Sequence, residues 1–221
     1  MALGRRDGDG PVEISWLGHS CFRLRSGDVT LVMDPYAETV GFPSPSLTAR
    51  IVTVSNSHPH HSNWTSIQGS PRVLTGPGEY EIAGAVIDAV RTPSRPGQES
   101  PNTAFVVEMD GITLCHLGDL SQPLTTRLVG ELGRVQVLLV PAGGRCTLPP
   151  AQAAEVVTLL DPRLVIPMHF KTPGCSVDLE PAEPFLRELG VREPTTQARL
   201  NVTAANLPRE GLSVVLLQQT S

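Results

Sequence analysis

Short apolar segments separated by glycine, proline and polar turns dominate the first half of the chain. Each has the length and residue types of a β-strand. The predicted strands are Val12 to Leu17, Cys21 to Arg25, Val29 to Met33, Ile51 to Val54 and Val73 to Thr75. The third ends at the Asp34-Pro35 step, because proline cannot continue a ladder. The fourth leads directly into the polar run from Ser55 to His61.

The pattern changes in the second half, where helical spacing begins to alternate with buried strands. Tyr80 to Val90 is predicted to be one extended segment, and Asp110-Gly111 between two apolar runs predicts a hairpin with a type I′ turn. The later helices are Thr125 to Leu132, Ala153 to Leu160 and Pro184 to Leu189, and the later strands are Val135 to Val140, Leu164 to Met168 and Ser213 to Leu217. This order predicts a mixed α/β or α+β sandwich whose helices cover its sheets.

The length of 221 residues predicts one domain with a substantial core, here assigned to residues 11–221. Met1 to Gly10 is polar and glycine-rich, which predicts a flexible N-terminal tail over residues 1–10. The loop from Thr92 to Asn102 contains three prolines and is also expected to be flexible.

Charge and cysteine usage narrow the class of protein. The net charge is −5 and the pI is about 5.7. The chain therefore lacks the basic stripe that would predict binding to nucleic acid and the cationic face that would predict binding to a membrane surface. The N-terminus lacks the apolar run of an export signal, and no stretch is apolar enough to span a bilayer. The four cysteines form no CxxC pair, which favours reduced thiols and therefore a cytoplasmic location.

The histidines are the residues that suggest chemistry. His58, His60 and His61 lie within four positions, His169 ends a predicted strand, and Asp119 follows the histidine that ends another. Imidazole and carboxylate groups at strand ends suit zinc, iron or manganese. Taken singly, the His-Pro-His-His run could be a solvated loop, and His116 is better explained as a buried, hydrogen-bonded histidine than as a ligand. The combination favours a metal site.

Four stretches of the sequence resemble the metallo-β-lactamase superfamily, and within it the branch that includes L-ascorbate-6-phosphate lactonases and many metal-dependent hydrolases. They occur in the family's order, and the match extends from about Ile14 to Leu217. The stretches are Trp16-Leu17-Gly18-His19-Ser20-Cys21-Phe22, Gly76-Pro77-Gly78-Glu79-Tyr80-Glu81-Ile82, Cys115-His116-Leu117-Gly118-Asp119-Leu120 and Val165-Ile166-Pro167-Met168-His169-Phe170. The resemblance implies an αββα sandwich of four layers with a metal site in the cleft between the two sheet edges.

The family's metal-binding motif, His-x-His-x-Asp-His, is degenerate in this chain. Aligned on the stretch from Asn56 to His61, it has Asn56 at the first histidine and His60 at the aspartate. The third histidine of the first metal site falls at Ser94. The bridging aspartate corresponds to Asp119 and the last histidine to His169.

The two metal sites are therefore expected to differ. Amide and hydroxyl oxygens are weak ligands for zinc-like ions, so Asn56 and Ser94 are degraded ligand positions and the first site is expected to be empty or weak. The candidate metal ligands are His58, His60, His61, Asp119 and His169. They imply one divalent ion, with zinc expected first and iron or manganese as alternatives. Asp119 is also the candidate catalytic carboxylate, and Asn56 is a candidate for substrate binding.

His19 lies on a loop that lines the cleft in this branch, so it is expected either to contact the substrate or to serve as a structural turn histidine. Two functional hypotheses remain open. The first is a hydrolase with a single metal that acts on a small ester, lactone or phosphorylated metabolite. The second is a non-catalytic binding or regulatory scaffold. A nuclease and an exported β-lactamase are both disfavoured, a small molecule is the expected partner, and a homo-oligomer is left open.

Overall fold

The computed structural model describes residues 10–95 and 100–220, which build two mixed β-sheets packed face to face. The strands are β1 (Val12–Gly18), β2 (Cys21–Ser26), β3 (Val29–Met33), β4 (Ile51–Thr53), β5 (Arg72–Leu74), β6 (Gly78–Ile82), β7 (Ala85–Thr92), β8 (Asn102–Met109), β9 (Ile112–His116), β10 (Val137–Pro141), β11 (Leu164–Met168), β12 (Thr195–Gln197), β13 (Leu200–Val202) and β14 (Ser213–Leu217). The six-stranded sheet has the order β13-β1-β2-β3-β4-β5, and the eight-stranded sheet has the order β12-β14-β11-β10-β9-β8-β7-β6.

The core between the sheets follows from the two-residue period of the strands. Along β8, Phe105 and Val107 belong to the core between the sheets, whereas Ala104 and Val106 belong to the cluster beneath the helices. Successive side chains of a strand point to opposite faces, so a strand that is apolar throughout must be covered on both sides. This explains why β8 to β11 are almost uniformly buried.

The outer layers of the two sheets differ. Helices α1 (Thr126–Leu132), α2 (Pro150–Leu160) and α3 (Glu183–Glu188) contribute to the cluster over the eight-stranded sheet. The outer face of the six-stranded sheet is instead covered by loop residues such as Tyr36 and Phe42, with one-turn 3-10 helices at Glu38–Val40 and Trp64–Ser66. The predicted α/β sandwich is confirmed, with α-helices over the eight-stranded sheet alone among the described residues.

Most predicted elements are present, and the predicted hairpin turn is one of them. Asp110 and Gly111 have φ values of 44° and 71°, the positive values that a type I′ turn requires. The single extended segment from Tyr80 to Val90 is wrong, because Ala83 and Gly84 (φ 54° and 83°) form a turn that separates β6 from β7. Alanine rarely adopts a positive φ, which hid this turn. The short edge strands β12 and β13 also had no clear sequence signal.

Parts of the predicted organisation lie outside the described residues. They include residues 1–9 of the predicted tail and residues 96–99 of the predicted flexible loop. The assignment of residues 11–221 to a single domain stays a prediction. Within the described ranges, every helix is too short or too polar to cross a membrane.

Candidate metal centre

The candidate site lies at one edge of the sandwich, where several strands end. Strands β9, β10 and β11 are parallel neighbours, so their carboxyl ends meet at the same edge. The chemistry-bearing residues that follow strands here are His19 after β1, Asp34 after β3, Asn56 to His61 after β4, Asp119 after β9 and His169 after β11. Strand ends therefore bring together residues that are up to 150 positions apart, from His19 to His169.

His19, His61 and His169 form the three-histidine group at the centre of this edge. One ring nitrogen from each lies within 4.8 Å of those of the other two, a spacing that could hold a metal ion. The ring centroids of His19 and His169 are 4.0 Å apart, and that of His61 lies 5.3 Å from His19 and 5.6 Å from His169. None of the three side chains exceeds 2% exposure. The sequence prediction named all three but gave His19 a different role.

Backbone geometry holds two of these histidines against each other. Both His19 and His169 have left-handed backbones, with φ values of 52° and 53°. The backbone amide of His169 donates to the carbonyl of His19 (2.9 Å), which also accepts a hydrogen bond from the Trp16 indole (2.9 Å). Left-handed conformations of non-glycine residues concentrate at functional sites, where the surrounding structure enforces them.

Asp34 determines how His61 is presented. The Asp34 carboxylate is fully buried, contacts Nδ1 of His61 at 2.8 Å and accepts hydrogen bonds from the backbone and hydroxyl of Ser55 at 2.7 and 2.5 Å. Burial favours the neutral carboxyl, but nearby His116 and the bond to His61 lower the pKa of Asp34 overall. The pair occupies Nδ1 of His61 and leaves Nε2 as its metal-binding atom. Asp34 was absent from the predicted site, although the strand-ending Asp-Pro step marked its position.

Asp119 is held from three directions. Its backbone amide donates to the Asn102 side chain (2.8 Å), its Oδ2 accepts from the Asn56 amide (3.4 Å), and its Oδ1 lies 3.7 Å from Nε2 of His169. Burial raises the pKa of Asp119, and the charge of Arg95 opposes that rise. The preceding Gly118 has a φ of 61°, and a Cβ there would lie 2.4 Å from that of Ser55, so a side chain at residue 118 would clash.

Cys146 joins the site from the loop after β10 and was missed from the sequence. Its Sγ, a carboxylate oxygen of Asp119 and a ring nitrogen of His169 lie within 4.8 Å of one another and form the Asp-Cys-His group. The loop can approach His169 closely because residue 143 is a glycine. A Cβ on Gly143 would lie 2.3 Å from the His169 carbonyl oxygen. The Arg95 guanidinium donates to the carbonyls of residues 145 and 147 on either side of the thiol. A cysteine without a CxxC partner carried no metal signal.

The other predicted ligands lie beside this centre. His58 is exposed and His60 is half-buried, and neither belongs to a metal-binding group found among the described residues. Their rings contact each other (4.3 Å between centroids), and that of His60 lies 5.6 Å from His19. Ser94 is half-buried, and its hydroxyl accepts from the Asn102 backbone at 3.4 Å. The side-chain oxygen of Asn56 accepts a hydrogen bond from the backbone amide of His58. Because its side-chain nitrogen donates to Asp119, both ends of the Asn56 side chain are hydrogen-bonded within the protein.

Protonation states and unpaired nitrogens fit a cation at this centre. Burial and the neighbouring histidines hold the pKa of His19 well below its usual value, and burial lowers that of His169 to about 3 and that of His60 to about 4. These imidazoles are therefore neutral near pH 7, as metal ligands must be. Among the described residues, both ring nitrogens of His19 and Nδ1 of His169 are buried without a hydrogen-bond partner. A divalent ion of the zinc, iron or manganese class would bind one ring nitrogen of each of these histidines.

Comparisons with known proteins find a family and several metal-dependent hydrolases to which this chain is similar. A family described as beta-lactamase superfamily domain matches residues 13–169. A UPF0173 metal-dependent hydrolase from Methanoculleus marisnigri is 30% identical over 198 residues, which cover 76% of this chain and 86% of that protein. A solved structure from Thermotoga maritima, of a proposed Zn-dependent hydrolase of the metallo-β-lactamase superfamily, is 37% identical with a TM-score of 0.78. That match covers 93% of this chain and 98% of the other. A metallo hydrolase from Ignicoccus hospitalis, 18% identical over 96% of this chain and 97% of its own, shares the fold with a TM-score of 0.65.

Proposed function

This chain belongs to the metallo-β-lactamase superfamily and its UPF0173 metal-dependent hydrolase family, and from that premise we propose that it is a hydrolase that uses one divalent ion. The observation that carries the proposal is that the buried His61 and His169 and the partly buried Asp119 meet at the strand ends, with His169 shared by both metal-binding groups. Zinc is the expected ion, because the centre offers nitrogen, carboxylate and thiol donors at once.

Lewis-acid polarisation of a carbonyl or phosphoryl oxygen and activation of water are the chemistry that a divalent ion supplies when bound. The residues of the chain would orient the ligands of the ion and transfer protons to and from the substrate. Asp34 holds the ring of His61 through Nδ1. Asn56 and Asn102 orient Asp119, and this carboxylate would accept a proton during hydrolysis.

The proposed substrate class rests on the lactonase-like branch that the sequence resembles. We propose a small ester, lactone or phosphorylated metabolite. A cytoplasmic location, the absence of nucleic-acid and membrane partners, and any homo-oligomer all stay predictions from the sequence.

One observation favours the alternative, a non-catalytic binding or regulatory scaffold. Asn56, at a position where the family motif has a histidine, is 4% exposed and uses its side chain to hold His58 and Asp119 in place. That is a structural role, and it removes one ligand of the two-metal arrangement.

Metal content distinguishes the two functions. Protein purified without chelator is expected to contain about one equivalent of metal by mass spectrometry, and His61→Ala is expected to lose it. The loaded protein is then assayed on panels of esters, lactones and phosphodiesters, with His61→Ala as the inactive control. Protein that binds no metal even after incubation with zinc or manganese would contradict the hydrolase and favour the scaffold.

A further inference from the structure

The aligned motif has Asn56 and Ser94 where the family has histidines, yet the centre contains a further imidazole, His19, that lies outside the His-x-His-x-Asp-His motif. Resting on the metal-dependent function proposed above, we propose that His19 is a direct metal ligand, so that the ion is held by the three-histidine group of His19, His61 and His169. The turn between β1 and β2 would thereby supply a third imidazole at a centre whose HxHxDH motif is degraded.

The hydrogen bonding of His19 supports this role. A buried histidine that is purely structural uses its ring nitrogens, as His116 does. The Nε2 of His116 bonds to the carbonyl of Ser20 at 2.8 Å and its Nδ1 accepts from the backbone of Gly118 at 3.0 Å. The side chain of His19 is equally enclosed, at 1% exposure, but within the described part of the chain both of its ring nitrogens lack a partner. Buried polar atoms are almost always satisfied, so the unmet ring nitrogens of His19 point to a missing partner, and a metal ion would bind one of the two.

The position of the ring identifies that partner. A nitrogen of His19 lies within 4.8 Å of ligand atoms of His61 and His169. The backbone carbonyl of His19 is tied to the Trp16 indole and to the backbone of His169, which fixes the ring against the other two. Nδ1 of His61 is occupied by Asp34. Three imidazoles that converge from three different strand ends are a recognised set of zinc ligands.

The burial of His19 also favours a role as metal ligand over direct contact with the substrate. At 1% exposure, His19 is covered by the protein itself, whereas a side chain that reads the substrate must reach the open cleft. The exposed His58 and half-buried His60 lie outside the three-histidine group and are better placed for such contact.

The test replaces His19 with glycine and measures metal binding without reference to activity. Glycine accepts the left-handed φ of 52° and leaves a space that free imidazole fits. The affinity for Zn²⁺ is measured by competition with a chromophoric chelator, and the visible spectrum of the Co²⁺-loaded protein reports the ligand set. His58→Ala is the matched control, because it removes an exposed histidine of the same cluster.

We expect His19→Gly to bind Zn²⁺ more than about 100-fold more weakly than the wild type, since loss of an outer-shell partner alone typically weakens binding by about 10–100-fold. Added imidazole should restore both the affinity and the Co²⁺ spectrum, and His58→Ala should match the wild type. Circular dichroism of the metal-free variants checks folding. If the glycine variant does not fold, His19→Asn replaces it, because asparagine also tolerates this backbone.

The outcomes separate this inference from the function on which it rests. If the wild type binds no metal, both fail. If the wild type binds metal, His61→Ala loses it and His19→Gly keeps it, the proposed function stands and the role of His19 is overturned. A loss of affinity in a folded His19→Gly variant that imidazole does not restore also overturns direct ligation.

Discussion

Acid is expected to destabilise the metal-free protein through His169. Burial lowers the pKa of this side chain from 6.5 to about 3 in the folded protein, whereas in the unfolded chain the ordinary value applies. Between these two values unfolding takes up a proton, so the contribution of neutral His169 to the free energy of unfolding is complete above pH 6.5 and is lost as the pH falls towards 3. His19 acts in the same direction, because its pKa is also lowered.

The magnitude follows from the width of the window. Each unit between the unfolded pKa and the working pH costs about 1.4 kcal/mol, so at about pH 5 the contribution of His169 is a loss of about 2 kcal/mol. His61 has the opposite sign. Burial opposes its protonation, but the bond to Asp34 raises its pKa overall. Its stabilising contribution is complete below the unfolded pKa and is lost as the pH rises through the folded one, so it partly offsets the loss in acid, and it does so alike in any variant that keeps His61 and Asp34.

The assay is urea unfolding in the presence of a chelator at about pH 7.5 and about pH 5. His169→Asn is the control, because asparagine tolerates the φ of 53° and does not titrate. The wild type is expected to lose about 2 kcal/mol more than this variant between the two pH values. An equal loss in both proteins would refute the assignment of the acid sensitivity to His169.

Three further predictions test the surroundings of the centre. Asp34→Asn is expected to weaken Zn²⁺ binding by about 10–100-fold, measured by chelator competition, because it no longer holds His61 in one tautomer; unchanged affinity would contradict that role. Cys146 is the exposed cysteine of the chain, so it is expected to react first with iodoacetamide and to be protected by bound metal; mass spectrometry of the modified peptide checks this, and equal labelling with and without Zn²⁺ would contradict its place at the centre. Gly118→Ala is expected to lower the free energy of unfolding by about 2–4 kcal/mol in urea titrations, because its new Cβ meets Asn102 and its positive φ is strained; a loss below about 0.5 kcal/mol would show that the strand end relaxes freely.

Local sequence determined much of this protein. The two-residue alternation of Cys21 to Arg25 and the Asp110-Gly111 turn predict strands and a hairpin that the structure contains. Such features depend on a few neighbouring residues and on short-range sterics. The sequence alone also identified the loop beside the centre, because His58, His60 and His61 are close neighbours along the chain.

Only the tertiary structure decided which of these groups meet. His58 and His61 are three positions apart, yet one is exposed and the other is buried against Asp34. The thiol of Cys146 gained a role only when its loop came within reach of His169. Whether a polar atom faces solvent, a carboxylate or a converging set of ligands depends on contacts between distant segments, and long-range packing rather than local propensity sets those contacts. The same holds for His19, whose unpaired nitrogens become visible only once the surrounding strands enclose them.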